Sequence, residues 1–150
     1  MAVPTEAEWG EYQADLDQAY AHDLFAGRTN EEMLPHFRKS VIERTDELRW
    51  MPEVPFQYYV LGPRDFVMAG EFDELEASDA ASCFWGLVLE KLEKRPQFIL
   101  PVMPQLLSAV RHVAANQASY RASPSIYGSF AEKWKRIASL HETLGQPQRS

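Results

Sequence analysis

MPEVPFQYYVLGPRDFVMAG, residues 51–70, is the stretch on which the fold class turns. Phe56-Gln57-Tyr58-Tyr59-Val60-Leu61 has the aromatic and β-branched content of a strand. Phe56, Tyr59, Val60, Phe66 and Val67 also fall on one helical face, and Pro55 suits a helix's first position. A strand needs a partner, because a lone strand leaves its backbone N–H and C=O groups unpaired. No second segment of the chain is a good strand candidate. The stretch is therefore expected to form two short helices, 55–61 and 64–69, divided at Gly62-Pro63. The expected class is all-α.

Both flanks carry helical signals. Upstream, Thr5 and Glu8 have capping-box spacing and open a helix expected over 6–26. Its apolar stripe is Trp9, Tyr12, Leu16, Ala19 or Tyr20, and Leu24, and Gly27 is its left-handed stop. Its polar face holds Glu8, Glu11, Asp15 and Asp17. Thr29 and Glu32 form a second box, before a helix that buries Met33, Leu34, Phe37, Val41 and Ile42. Pro35 is placed in its first turn, and its end between residues 43 and 50.

Downstream, Ser78 caps a helix with Asp79 at its positive end. Ala81, Phe84, Trp85, Val88, Leu89 and Leu92 make its buried face, and Lys91, Lys94 and Arg95 close its negative end. A fifth helix is expected over 101–120, with Val102, Leu106, Val110, Val113 and Ala114 inside. Ser123-Pro124 opens a sixth, whose stripe is Ile126, Phe130, Trp134, Ile137, Leu140 or His141, and Leu144. The expected architecture is a compact single-domain bundle of five to seven helices over 1–145. Short connections favour mostly antiparallel neighbours, and 146–150 is a frayed polar tail.

The totals agree with a packed domain. The chain has 150 residues, 45% hydrophobic and 12% aromatic, enough apolar surface to offset chain entropy. No apolar run is expected to reach the roughly 20 residues that span a bilayer. The N-terminal MAVPTEAEWGEYQ has neither the basic nor the apolar segment of a signal peptide. With one cysteine there is no internal disulfide, and a cytoplasmic setting is expected.

Charge is unevenly placed. Residues 1–79 hold 18 acids and six Lys or Arg, a net of −12, and residues 80–150 hold four acids and nine bases, a net of +5. Such a field repels nucleic acid and anionic membrane from the first half and attracts basic partners.

Catalytic and metal motifs are missing. His22, His36, His112 and His141 fall on four separate expected helices, and none belongs to an HExxH or Glu-x-x-His pair. The acidic stretch 71–79 is no EF-hand, because Leu75 and Glu76 stand where the loop needs an oxygen ligand and then a glycine. Cys83 follows five carboxylates, and negative charge and burial both raise a thiol pKa, so it is expected as a small packed residue. There is no G-x-S-x-G elbow, S-x-x-K pair, P-loop or dinucleotide turn. Lys133, Lys135 and Arg136 flank Trp134, but that tryptophan lies on an apolar stripe, and the pI of about 5.1 opposes nucleic-acid binding. No cofactor and no metal are expected.

Two acidic surfaces remain. Glu8, Glu11 and Asp15 share one face of the first expected helix. In 71–79, Phe72 and Leu75 are interleaved with Glu71, Asp73, Glu74 and Glu76, and Asp79 follows. Apolar anchors ringed by acids suit the docking of a basic protein. The leading expectation is a non-enzymatic binding protein of inhibitor or immunity type, masking a basic partner surface. The runner-up is a small helical enzyme or ligand-binding domain with a pocket lined by Tyr58, Tyr59, Trp85, His112 or Cys83. A third reading is self-association of the acidic half with the basic half of a neighbour.

Overall fold

A computed structural model describes residues 1–73 and 76–146. Among these residues there are helices and 3-10 turns and no strand. The stretch 51–70 forms two helices, α4 (Glu53–Tyr59) and α5 (Leu61–Ala69). The division falls at Val60, however, and Gly62 and Pro63 are buried in the first turn of α5. A Cβ at Gly62 would stand 3.1 Å from Asn30 Oδ1 and 3.1 Å from the Phe37 ring. That glycine lets α5 approach α2 (Asn30–Lys39) closely; it is not a helix breaker here.

The first expected helix is corrected. Residues 6–15 instead form two 3-10 turns, Glu6–Trp9 and Tyr12–Ala14, before α1 (Leu16–Phe25) begins. The Thr5 and Glu8 capping box is present but caps the first turn. Gly10 at φ 64 ends that turn, and Asp15 then caps α1 by accepting from the N–H groups of Asp17 and Gln18. The break resets the phase. Ala21 and Phe25 are buried, and Leu16 and Tyr20, expected inside, are exposed. Glu6 holds the turns onto α1 through Tyr12 Oη at 2.6 Å and His22 Nε2 at 2.7 Å, which pull its carboxyl below the ordinary range.

The second expected helix divides too. Ser40, at φ −159, separates α2 from α3 (Val41–Leu48). Met33, Phe37 and Val41 stay in the core, and Ile42 turns outward. Pro35 lies past the first turn of α2, so the Glu31 carbonyl lacks the usual helical donor.

Beyond the acidic stretch comes α6 (Ala77–Lys94), the longest helix among the described residues. Lys91, expected at an exposed helix end, is buried on it. The fifth expected helix becomes α7 (Pro96–Ile99), a 3-10 turn, α8 (Met103–Ala115) and a second 3-10 turn, Gln117–Tyr120. The sixth becomes α9 (Pro124–Tyr127) and α10 (Phe130–Leu144), and Ile126 is exposed. The helices are therefore shorter and more numerous than the five to seven expected. Against expectation, residues 96–115 are long and apolar enough to cross a bilayer. Here Ile99, Val102, Met103, Leu106, Val110 and Val113 of that run pack in the core.

One cluster of buried apolar residues runs from Trp9 to Ile137. Around it α6 is the hub, touching α3, α5, α8 and α10, and α1 lies against α3. Tyr59 fastens α4 to the end of α1 by donating to the carbonyls of Phe25 at 2.6 Å and Arg28 at 2.7 Å.

Candidate functional site

Glu8, Glu11 and Asp15, expected on one helical face, belong to separate local elements. Glu8 closes the Thr5 capping box, accepting from Thr5 N at 2.8 Å. Asp15 is the α1 cap, and Glu11 precedes the second 3-10 turn, so the three do not share a helical face. Glu71 pairs with Arg38 at 2.7 Å, and Asp73 Oδ1 accepts from Glu76 N at 3.1 Å just before α6. Phe72 is half-buried, with its ring 5.6 Å from Phe66 and 6.0 Å from Tyr120, and so tacks the loop to the core. Asp79 lies in the first turn of α6. Glu74 and Leu75 lie outside the described residues.

The five residues expected at an alternative pocket are spread over several settings. Both Tyr59 hydroxyl contacts are structural, and Tyr58 Oη accepts from Asn30 N at 3.2 Å. Trp85 packs edge-on against Phe130, and His112 lies at the surface beside Tyr120. Of the five residues, Cys83 alone lines the main groove described below.

That groove lies between α3 and α6 and measures about 450 Å³. Ile42, Thr45 and Asp46 face Ser82, Cys83, Gly86 and Leu87 across it. The small α6 residues open the groove. Gly86 sits mid-helix with nothing within 4 Å of where its Cβ would be among the described residues. The Thr45 hydroxyl, buried at the wall, has no hydrogen-bond partner among the described residues. Burial, with Asp79 and Asp46 adding to it, pushes the Cys83 thiol up to about 11. At neutral pH that holds it protonated, which opposes its acting as a thiolate.

A second cleft of about 390 Å³ opens between α1 and α3. Asp17 and Tyr20 come from α1, Glu43, Asp46 and Glu47 from α3, and Trp50 from just past its end. Glu43 and Asp46 wall both clefts, which makes them one continuous face. Arg44 pairs with Glu47 at 2.6 Å and Glu43 at 3.3 Å. Arg49 joins Asp46 at 3.0 Å to Glu90 of α6, which it grips through Nε at 2.7 Å and Nη2. These pairs fasten the face to the fold and leave carboxylates in excess.

The apolar residues of this face are uncovered: Ile42 is 57% exposed, Tyr20 55% and Trp50 44%; Leu16, one turn before Tyr20 on α1, is 89% exposed. Continuous periodicity puts Leu16, Ala19 or Tyr20, and Ile42 inside, and the breaks before α1 and α3 leave Leu16, Tyr20 and Ile42 outside. The signal that could have found them is the pair of local stops, Gly10 and Ser40, in otherwise continuous patterns. Among the described residues no three His, Cys, Asp or Glu side chains are grouped to hold a metal ion.

No protein-family model, curated protein or solved structure matches the chain.

Proposed function

We propose that this chain is a non-enzymatic binding protein that captures a basic protein on the face formed by α1, α3 and α6. The carrying observation is the set of three exposed apolar side chains, Tyr20, Ile42 and Trp50, that line two adjoining clefts with Asp17, Glu43, Asp46 and Glu90. Scattered surface apolar residues are ordinary, but a run of them beside two adjoining clefts is the composition of an interface. The apolar groups supply affinity by leaving water, and the carboxylates supply encounter rate and register. An inhibitor or immunity-type role follows if the masked surface is the partner's own anion-binding site. In that reading the chain is one compact domain over 1–145 with mostly antiparallel neighbours. It works in the cytoplasm, without cofactor or metal, and away from nucleic acid and membrane. Glu8, Glu11, Asp15, Glu71, Asp73, Glu76 and Asp79 add to the long-range field, and Phe72 anchors its own loop.

The test compares two charge reversals in affinity capture from lysate of the source cell, at low and moderate salt. Glu43→Lys with Asp46→Lys alters the face, and Glu71→Lys with Glu76→Lys alters the other acidic stretch. A basic protein that binds the native chain, survives the second pair and is lost with the first is the expected result. Loss with the second pair alone would move the contact to 71–79, and an unchanged set with both would end the docking reading.

A further inference from the structure

We propose that the groove between α3 and α6 seats an amphipathic helix of the basic partner, its apolar face against the groove and its Lys or Arg side chains toward the groove's carboxylates. This rests on the docking reading above and names the element that the face recognises. The groove takes Ser82, Gly86 and Glu90 from α6, each four residues apart, and Ile42, Asp46 and Arg49 from α3 and its cap, four and three apart. Each set is one stripe of its helix, so the groove runs lengthwise along the two packed helices. From Ser82 to Glu90 it follows α6 for roughly 12 Å, a little over two turns.

A furrow between two neighbouring helices is the surface on which a third helix packs. An extended segment binds by pairing its backbone with a sheet edge, and both walls here are helices whose backbone groups bond within themselves. A helix satisfies its own backbone and brings only side chains to an apolar groove. Gly86 makes room for one of them. It weakens the middle of α6 relative to alanine, and the space over it is open among the described residues. Buried Leu87 and exposed Ile42 supply apolar surface from the two helices on either side of that space.

Charge sets the sign of the partner helix. Three carboxylates line the groove, from Glu43, Asp46 and Glu90, against the single guanidinium of Arg49, which pairs with two of them. A helix with lysine or arginine beside its apolar face is drawn to such a groove, and an acidic one is repelled.

The probes are three synthetic peptides of equal length: a Leu/Lys helix with leucines three and four apart, the same composition reordered so that no helical face is apolar, and a Leu/Glu helix. Cys83, the chain's one cysteine, lines the groove and reports its occupancy. The readout is its rate of alkylation by N-ethylmaleimide in the full chain at low salt and fixed pH, followed by mass spectrometry. The Leu/Lys helix is expected to slow alkylation saturably, the reordered peptide to bind several-fold more weakly, and the Leu/Glu helix to give no protection. Gly86→Leu fills the groove and should weaken the Leu/Lys helix about tenfold or more. Ile42→Ser, at an exposed position, should weaken it about threefold and decides the matter if Gly86→Leu melts early. Equal protection by the reordered peptide, no protection by any peptide, or unchanged affinity in the deciding variant overturns the helix seat. Protection that needs no peptide and rises with the chain's own concentration puts a second copy in the groove and overturns it too. If the seat fails while a basic partner is still lost with Glu43→Lys and Asp46→Lys, the docking face stands with a different element on it. If both results are negative, both inferences go.

Discussion

Lys91 shows how far one residue can depart from its sequence setting. It sits near the end of α6, where a lysine ordinarily faces water and the helix's negative pole. Here it is 4% exposed, donates to the Arg49 carbonyl at 2.9 Å, and lies 4.8 Å from the Phe56 ring and 5.1 Å from Phe98. Burial, then Arg95, lowers its pKa to about 8, and Glu90 offsets part of the shift. The unfolded chain holds this proton up to about pH 10.4. Between those values the unfolded state binds more protons than the folded one, so stability rises with pH through that window. Lys91→Met keeps the stem between the rings and removes the titrating group. In urea unfolding from pH 7 to 10 the native chain should gain up to about 3 kcal/mol relative to the variant, while the Cys83 thiol, raised to about 11, lowers stability over part of that range in both proteins and so cancels in the comparison. Equal slopes in the two proteins would mean that the charge is solvated after all. Tyr59, also raised by burial, acts in the same direction as Cys83 but only from about pH 10 upward. Lys91 could not be foreseen, because a charged residue three places after Val88 and one before Leu92 is on the helix's apolar face only if the partner elements are known. The Cys83 shift was legible, because both its causes, burial and the neighbouring acids, are present in the local sequence.

At the scale of elements, local chemistry was readable and its breaks were not. Both capping boxes exist, at Thr5 with Glu8 and Thr29 with Glu32, because they depend on residues three apart. The interruptions at Gly10 and Ser40 each depend on one backbone conformation, which periodicity passes over. A shift of phase there turns side chains to another face, so Leu16 and Ile42, expected inside, are exposed, as is Tyr20, the alternative to Ala19. The turn between α8 and α10 offers a sharper test. Gln117 donates through Nε2 to the carbonyls of Ala122 at 2.9 Å and Gly128 at 2.8 Å, and accepts from Phe130 N at 2.9 Å. One side chain thus satisfies three backbone groups and sets where α10 starts. Gln117→Leu keeps the bulk and removes all three bonds. It should cost about 2–4 kcal/mol, since each half-buried backbone group left without its partner costs about 1 kcal/mol or more. A loss below about 0.5 kcal/mol in urea melts would show that water replaces the glutamine without penalty.

Across the whole molecule, the fold class followed from one pairing consideration and the interface from its exceptions. A chain with one good strand candidate has nowhere to place a sheet, and that sufficed for the all-helical class. The candidate face was hidden for the reason that makes it informative: its apolar residues obey the helical period yet face water. The charge split acts at this largest scale, and contact and field separate in the kinetics. At low ionic strength charges act over a Debye length of roughly 10 Å or more, so every acid in residues 1–79 contributes to encounter. Dissociation instead depends on the groups that touch. With the captured partner in hand, Glu71→Lys with Glu76→Lys should slow association several-fold at low salt and leave dissociation unchanged within about twofold. Glu43→Lys with Asp46→Lys should slow association and also speed dissociation by about tenfold or more, as two contact charges become repulsive. High salt should erase the association deficit of the first pair, and the faster dissociation of the second should persist where the contact excludes water. Stopped-flow association and surface-binding dissociation measure the two rates separately. Faster dissociation with the 71 and 76 pair, matched by none with the 43 and 46 pair, would place the contact on the loop before α6 and leave the α1–α3–α6 face as a contributor to the field alone.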